Sequence, residues 1–403
     1  MPEEIHYVGV LIALFIIPKV LQRFRIPSAI SALGMGALLG LGFGLFVSDP
    51  TIEMLSLFGI VSLFLFAGLD IDFAELRAQS RILVWHLLIG TAMLVVVAVV
   101  VQAVFHLETR PAVLVSLALT TPSTGFILSS IKTFNLTEQE QFWVRSKAIG
   151  TELVALAALF LVMQSDSVLV FGRSLFLLAG LVIVLPMLFY LFARAVLPWA
   201  PDSEFAFLLM VAVVSAFFTR HLGVYYLVGA FVVGVVARRF ESLPAMKSER
   251  MLSALDLFGS VFIPFYFFGA GLHLRREDFS LEALMVGVGF LLIMIPVRGL
   301  AITYHRQFAM GEKFWQATRV GVSILPTLVF TLVIAGILRD RFAVSPVIFG
   351  GLIIYTLANT MIPGLAFTGG KYRQRYLERR KQRMERGKEN PATISGGSES
   401  TAE

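Results

Sequence analysis

The chain has 403 residues, 57% of them hydrophobic and only 15% charged, where a soluble globular chain carries roughly a quarter charged residues. It contains no cysteine, which excludes disulfides, thiolate metal centres and cysteine nucleophiles. The net charge of +6 is concentrated near the end, in Lys371, Arg373, Arg375, Arg379, Arg380, Lys381, Arg383, Arg386 and Lys388, and is not read as a nucleic-acid footprint.

Apolar runs long enough to cross a bilayer recur along the chain, separated by short polar loops. In chain order they fall at about 5–21, 26–46, 52–69, 82–105, 111–131, 141–163, 174–196, 203–219, 223–237, 251–272, 280–304, 314–338 and 343–366, or about 13 spans. The runs are continuous and do not alternate, so lipid forces them into helices and not into a barrel. An all-α polytopic membrane protein is expected, with a membrane domain over 1–369 and a basic tail over 370–403 that is partly disordered in composition. The acidic start, Met1-Pro2-Glu3-Glu4, and the lack of a small-residue cleavage site argue against a cleaved signal peptide.

The positive-inside rule puts the basic tail in the cytoplasm and, across 13 spans, the N-terminus outside. Lys19, Arg23, Arg25, Arg238, Arg239, Lys247 and Arg250 then fall inside, and Asp49 and Asp166 outside. The tail either lies on anionic lipid of the inner leaflet or serves only as a topogenic anchor. The six histidines are scattered without metal-ligand spacing, and no nucleophile–base pair or phosphate cradle stands out. No enzyme, no cofactor and no nucleic-acid partner is therefore expected.

Two spans are interrupted at corresponding places in the two halves. The fifth reads Thr120-Thr121-Pro122-Ser123-Thr124-Gly125, and the twelfth Gly321-Val322-Ser323-Ile324-Leu325-Pro326-Thr327. Proline removes a backbone donor and frees carbonyls of the preceding turn, and neighbouring hydroxyls can satisfy part of what is freed. Such a matched pair points to a transporter site built from inverted repeats; two ordinary proline kinks are the plainer reading.

Ionisable residues deep within a span are few, and each is a functional candidate by default. Glu152 lies near the middle of the sixth span and Arg298 toward the inner half of the eleventh. Burial favours the neutral acid and a nearby arginine favours the anion, so a proton and a cation can compete for one carboxyl group. As a plain ion pair with Arg298 or Lys147, Glu152 would instead hold helices together, and the two roles are compatible. Thr151, Thr121, Ser123 and Thr124 offer neutral oxygens suited to a hard cation such as Na⁺ or K⁺, or else back-bond within their kinked helices. Lys147 is expected to snorkel to the inner interface. Glu53, Asp70, Asp72 and Asp256 read as boundary residues, Arg319 as an interfacial anchor, and His86 as a lone packing histidine.

Several motifs, in this order and spacing, resemble one family. Arg25-Ile26-Pro27-Ser28 with Gly34-Met35-Gly36-Ala37-Leu38-Leu39-Gly40 looks like its first hairpin. Phe64-Leu65-Phe66-Ala67-Gly68-Leu69-Asp70-Ile71-Asp72 looks like its third helix. Pro264-Phe265-Tyr266-Phe267-Phe268-Gly269-Ala270-Gly271-Leu272 looks like the counterpart in the second half, and Arg319-Val320-Gly321 before Pro326 resembles a second broken helix. Over about residues 5–366 the chain is similar to the monovalent cation:proton antiporters, in the branch of bacterial Na⁺/H⁺ exchangers and glutathione-gated K⁺ efflux systems.

The resemblance implies two inverted repeats, two crossing broken helices, a homodimer in the bacterial inner membrane and elevator-type exchange of Na⁺ or K⁺ for protons. It implies that Glu152 binds the transported ion, with Thr151 beside it where the family often places a second acid, and that Arg298 is the family's charge-compensating basic residue. One acid in place of two implies electroneutral exchange. The carboxylate is one carbon longer than the family's aspartate, and Lys147 occupies a position that is usually small or apolar. Two other readings stay open: an organic-anion transporter on a similar scaffold, which Lys147 and Arg298 would suit, and a non-transporting sensor that keeps the fold.

Overall fold

A computed structural model describes residues 3–71, 77, 80–131, 134–165, 167–201, 203–221, 226–240 and 249–389. Each apolar run has become helix, because a backbone in lipid can satisfy its polar groups only within its own segment. In chain order the helices are α1 (Glu3–Gln22), α2 (Ser28–Ala37, continued to Phe43 with wider turns), α3 (Pro50–Leu69), α4 (Ser80–Phe105), α5 (Thr109–Thr120), α6 (Thr124–Ile131) and α7 (Glu138–Gln164). They continue as α8 (Val168–Leu191), α9 (Glu204–His221), α10 (Tyr226–Phe240), α11 (Glu249–Leu272), α12 (Leu281–Met310), α13 (Phe314–Ser323), α14 (Leu328–Phe342) and α15 (Pro346–Glu389).

Every predicted span lands on one of these helices or on a broken pair. By length and apolarity, however, 10 helices among the described residues qualify to cross a membrane, or 11 when α13 and α14 are taken as one span bent by 48°. The count of 13 is therefore not reached. Among the described residues the difference lies in two places: the segment Ser28–Phe43 is a shorter apolar helix, and α10 is described over 15 residues. The basic tail continues α15 as helix to Glu389. Its last residues lie outside the described ones, as do Asp72, Asp166 and Lys247.

The helices pack as two groups. In one, α2, α3, α10 and α11 lie side by side; in the other, α4, α5, α7, α12, α13, α14 and α15 surround the two breaks. Lipid tails give no hydrophobic drive between helices, so close backbone approach through small residues replaces it. Gly68 of α3 and Gly234 of α10 show this: a Cβ on the first would meet the Phe231 carbonyl oxygen at 2.3 Å, and on the second the Leu65 carbonyl oxygen at 2.2 Å. Outward faces stay apolar, as on α4, where Val95, Val96, Val99 and Val100 are exposed to what would be lipid.

Both prolines break their helices as the sequence suggests. The residue before a proline is pushed toward extended backbone, and Thr121 takes that geometry at the end of α5, with φ −82° and ψ 120°. In the twelfth span, Ile324, Leu325, Pro326 and Thr327 separate α13 from α14.

Candidate ion-binding site

The two breaks are bonded to each other. The Ser123 N–H donates to the Pro326 carbonyl at 2.8 Å. In return, the Ser123 hydroxyl oxygen accepts the N–H of Val329 at 2.8 Å and of Phe330 at 3.4 Å, so a serine of the first half caps the helix start of the second. The Thr331 hydroxyl adds a bond to the Ala118 carbonyl at 2.7 Å. Helix starts carry unpaired N–H groups and partial positive charge, and helix ends the reverse. The crossing thus sorts the peptide dipoles: the starts of α6 and α14 lie on one side of the joint.

Glu152 is on that side. Its residue is 4% exposed, and it lines a small cavity with Leu63, Phe64, Ser123, Thr124, Val329 and Phe330. One carboxyl oxygen, Oε2, has no hydrogen-bond partner, and the Thr124 hydroxyl lies beside the carboxyl in the same cavity. Among the described residues, Glu152 makes no ion pair with Arg298 or Lys147. Asp70 follows α3 at an exposed position. The two helix starts favour the anionic form of the buried carboxyl, and its oxygens with the Thr124 hydroxyl are donors of the kind a hard cation takes.

Arg298 is found on the other side of the joint. It is 2% exposed, and its guanidinium donates to the carbonyls of Leu325 at 2.7 Å and Ile324 at 2.9 Å, and to the Tyr355 hydroxyl at 3.0 Å. Tyr355 in turn donates to the Leu119 carbonyl at 2.8 Å. The arginine expected to balance Glu152 directly is occupied by carbonyls of the second break and reaches the first only through Tyr355. A planar fork with five donors suits this task, and a lysine would not.

The remaining predicted residues divide between two cavities. Ser123 and Thr124 share that of Glu152. Thr151 and Thr121 line a second one with Thr120, Thr91 and His86, where the Thr121 hydroxyl has no partner. Thr151 and Glu152 are neighbours on α7 with side chains about 100° apart, and they line different cavities. Pro122 and Pro326 make the breaks. Thr327 is held between the Thr356 hydroxyl and the Asn359 amide, both at 3.0 Å. Tyr355, Thr356, Asn359 and Thr360 escaped the sequence reading; a polar stripe at i, i+1, i+4 and i+5 inside an apolar span was the signal for them.

Lys147 does not snorkel. It is buried at 6% exposure, with Nζ 3.0 Å from Nδ1 of His86. His86 is also not alone, since Nδ1 of His305 lies 2.8 Å from the same nitrogen. Arg319 pairs with Glu140 at 3.1 Å and donates to the Asn135 carbonyl at 2.6 Å, tying α13 to α7. Glu53, Asp70 and Asp256 are exposed.

At the end of the bundle carrying Asp49, Arg275 and Arg339, a cavity of about 830 Å³ runs between the two helix groups to Ile60, Tyr266, Leu332 and Val333. Leu63 and Val329, which line the Glu152 cavity, are one helical turn below this floor.

The profile of the sodium/hydrogen exchanger transmembrane family matches residues 10–369. A K(+)/H(+) antiporter 1 from Saccharomyces cerevisiae is 29% identical over 156 residues, 38% of this chain and 17% of that protein. A probable Na(+)/H(+) antiporter 3 from Methanocaldococcus jannaschii is 32% identical over 82 residues, 20% of this chain and 21% of that protein. The matched stretches thus span about a fifth of the length of each of these relatives. The sodium proton antiporter MjNhaP1 from Methanocaldococcus jannaschii, solved at pH 8, superposes with a TM-score of 0.65 at 15% identity, covering 90% of this chain and 95% of that one. A second structure of the same protein, from electron microscopy, gives 0.61 at 15% identity, with 90% and 94% covered. The chain belongs to the sodium/hydrogen exchanger transmembrane family.

Proposed function

We propose that this protein exchanges a monovalent cation, Na⁺ or K⁺, for protons across the membrane, with Glu152 as the group both compete for. The observation that carries this reading is the buried Glu152 carboxyl, with one unpartnered oxygen, at the starts of two half-helices and beside Ser123 and Thr124. A proton on Oε2 and a cation held between that oxygen and the hydroxyls are mutually exclusive, which is the chemical requirement of antiport. The 830 Å³ cavity ends one turn away, so access from that end needs only a small displacement of the residues between.

The organic-anion alternative needs free cations at the site. Arg298 is taken up by carbonyls and Tyr355, and the Lys147 amine sits against His86, so neither is offered to a carboxylate substrate. A joint that bonds both breaks to each other favours movement of the group around them as one body, with the α2–α3–α10–α11 group as scaffold. In this reading the protein is a homodimer of the bacterial inner membrane, N-terminus outside and tail inside.

Dissipation of an imposed pH gradient in proteoliposomes tests this, with Na⁺, K⁺ and Li⁺ titrated on wild type and Glu152→Gln. Cation-dependent dissipation lost in the variant is expected. Silence with every cation, in protein shown to be folded, would overturn the reading.

A further inference from the structure

Between the start of α4 and the end of α12 lies a recess of about 900 Å³ that shares no lining residue with the Glu152 cavity. Its two ends differ in chemistry. At the mouth stand Arg81 and Phe308. At the inner end stand Ile89 and Ala301, about two turns further along each helix, or roughly 10–12 Å. Between them the rings of Trp85 and Tyr304 line the sides, and these residues are 54% and 47% exposed. The rear wall is held by packing: the His305 ring lies 4.3 Å from that of His86 and 5.6 Å from that of Trp143.

The mouth carries positive charge that no carboxylate answers. Among the described residues, Arg81 makes no ion pair. Arg306 and Glu312, at 2.6 Å, neutralise each other. Lys313 is exposed and directly precedes α13, whose first ring, Phe314, lies 5.9 Å from that of Tyr304. The partial positive charge of a helix start therefore adjoins the mouth as well. The basic tail leaves the bundle at this same end. A Cβ on Gly350, near the start of α15, would meet the Asp278 carbonyl just before α12, and one on Gly287 would meet Ile354, so α12 and α15 run in the same direction.

We propose that the recess binds one anionic glycerophospholipid from the leaflet at this end of the bundle, with its phosphate at Arg81 and one acyl chain running inward between α4 and α12. A basic mouth over an apolar groove matches a charged headgroup above hydrocarbon, and basic pockets between spanning helices take anionic headgroups in this way. Trp and Tyr rings, apolar with one polar edge, settle at headgroup depth, where Trp85 and Tyr304 flank the groove. An arginine at the mouth suits a phosphate, because its planar fork donates two parallel bonds. A small anion would leave the apolar end at Ile89 and Ala301 unfilled, and a neutral lipid would leave Arg81 without a counter-charge. Lipid binding here is independent of which ion the protein moves.

The test titrates purified protein in detergent micelles with dioleoyl phosphatidylglycerol or dioleoyl phosphatidylcholine and counts retained lipid by native mass spectrometry. Wild type is expected to hold one phosphatidylglycerol about tenfold more tightly than phosphatidylcholine, the low end of what hydrogen bonds to a charged group supply. Arg81→Gln should lose that preference. Arg194→Gln, which removes an equal charge from an exposed position just past α8, should keep it. Ala301→Trp fills the inner end of the groove and should weaken both lipids. Arg81 is exposed, so its variant decides the matter even where Ala301→Trp fails to fold. No preference for the anionic lipid in wild type, or the same retention in Arg81→Gln as in Arg194→Gln, would overturn the proposal. Undiminished lipid in folded Ala301→Trp would overturn it too, and with a changed oligomeric state would make the recess a contact between copies.

Discussion

Arg298 distinguishes two accounts of the joint, and a double-mutant cycle separates them. Replacing it by methionine removes three hydrogen bonds, to Leu325, Ile324 and Tyr355, and leaves two main-chain carbonyls buried. At roughly 1 kcal/mol net for each bond, the loss is about 3 kcal/mol, and unmet desolvation of the carbonyls adds to it. The partner of that energy is what matters. If the guanidinium serves the broken ends, as the geometry has it, Arg298→Met couples to Tyr355→Phe by roughly 0.5–3 kcal/mol, the range for residues in one network. Its coupling to Glu152→Gln then stays within about 0.5 kcal/mol, the range for independent sites. Reversible unfolding in mixed detergent micelles measures both cycles. A large coupling to Glu152 with none to Tyr355 would refute the reasoning and restore direct charge compensation.

Ser123→Ala leaves the N–H groups of Val329 and Phe330 without their cap, which costs about 1–3 kcal/mol. Hydrogen exchange of the first turn of α14 is expected to quicken accordingly, and unchanged protection there would count against the cross-capped joint. At the other end of the molecule, Asp49 caps α3. Burial pushes its carboxyl upward, but the Tyr7 hydroxyl and the N–H groups of Ile52 and Thr51 outweigh it and hold it below its ordinary value of 3.8. That stabilisation is present above pH 3.8 and is lost as pH falls through the lowered value. The stability gap between wild type and Tyr7→Phe should therefore close on acidification below that point, and a gap independent of pH would exclude the carboxylate as its source.

What the sequence made legible was set by local physics. Lipid length and apolarity marked the spans, and the covalent geometry of Pro122 and Pro326 marked the breaks. Glu152 stood out because a carboxyl is costly where it lies. The pairing of groups was not legible, because it depends on contacts between distant positions. Lys147 and His86 are 61 residues apart, and His86 and His305 are 219 apart, so Lys147 looked like an interfacial residue, His86 like a packing one, and His305 was not singled out. Arg298 was matched to the nearest opposite charge in kind, while the stronger demand came from carbonyls, which carry no formal charge and leave no mark in composition. Ser28–Phe43 and α10 were counted as spans on apolarity alone, and among the described residues each is a shorter helix than those long enough to cross by themselves.

The reciprocal bonds between Ser123 and the stretch Pro326–Phe330 also bear on how such a chain can change over generations. Each half of the sequence supplies what the other half lacks: a hydroxyl from the first, a carbonyl and two amide hydrogens from the second. Had the halves arisen as copies of one segment, they could not afterwards drift separately at these positions. A substitution at 123 alters the environment of 326 to 330 at once, so tolerated changes should come in matched sets across roughly half the chain's length.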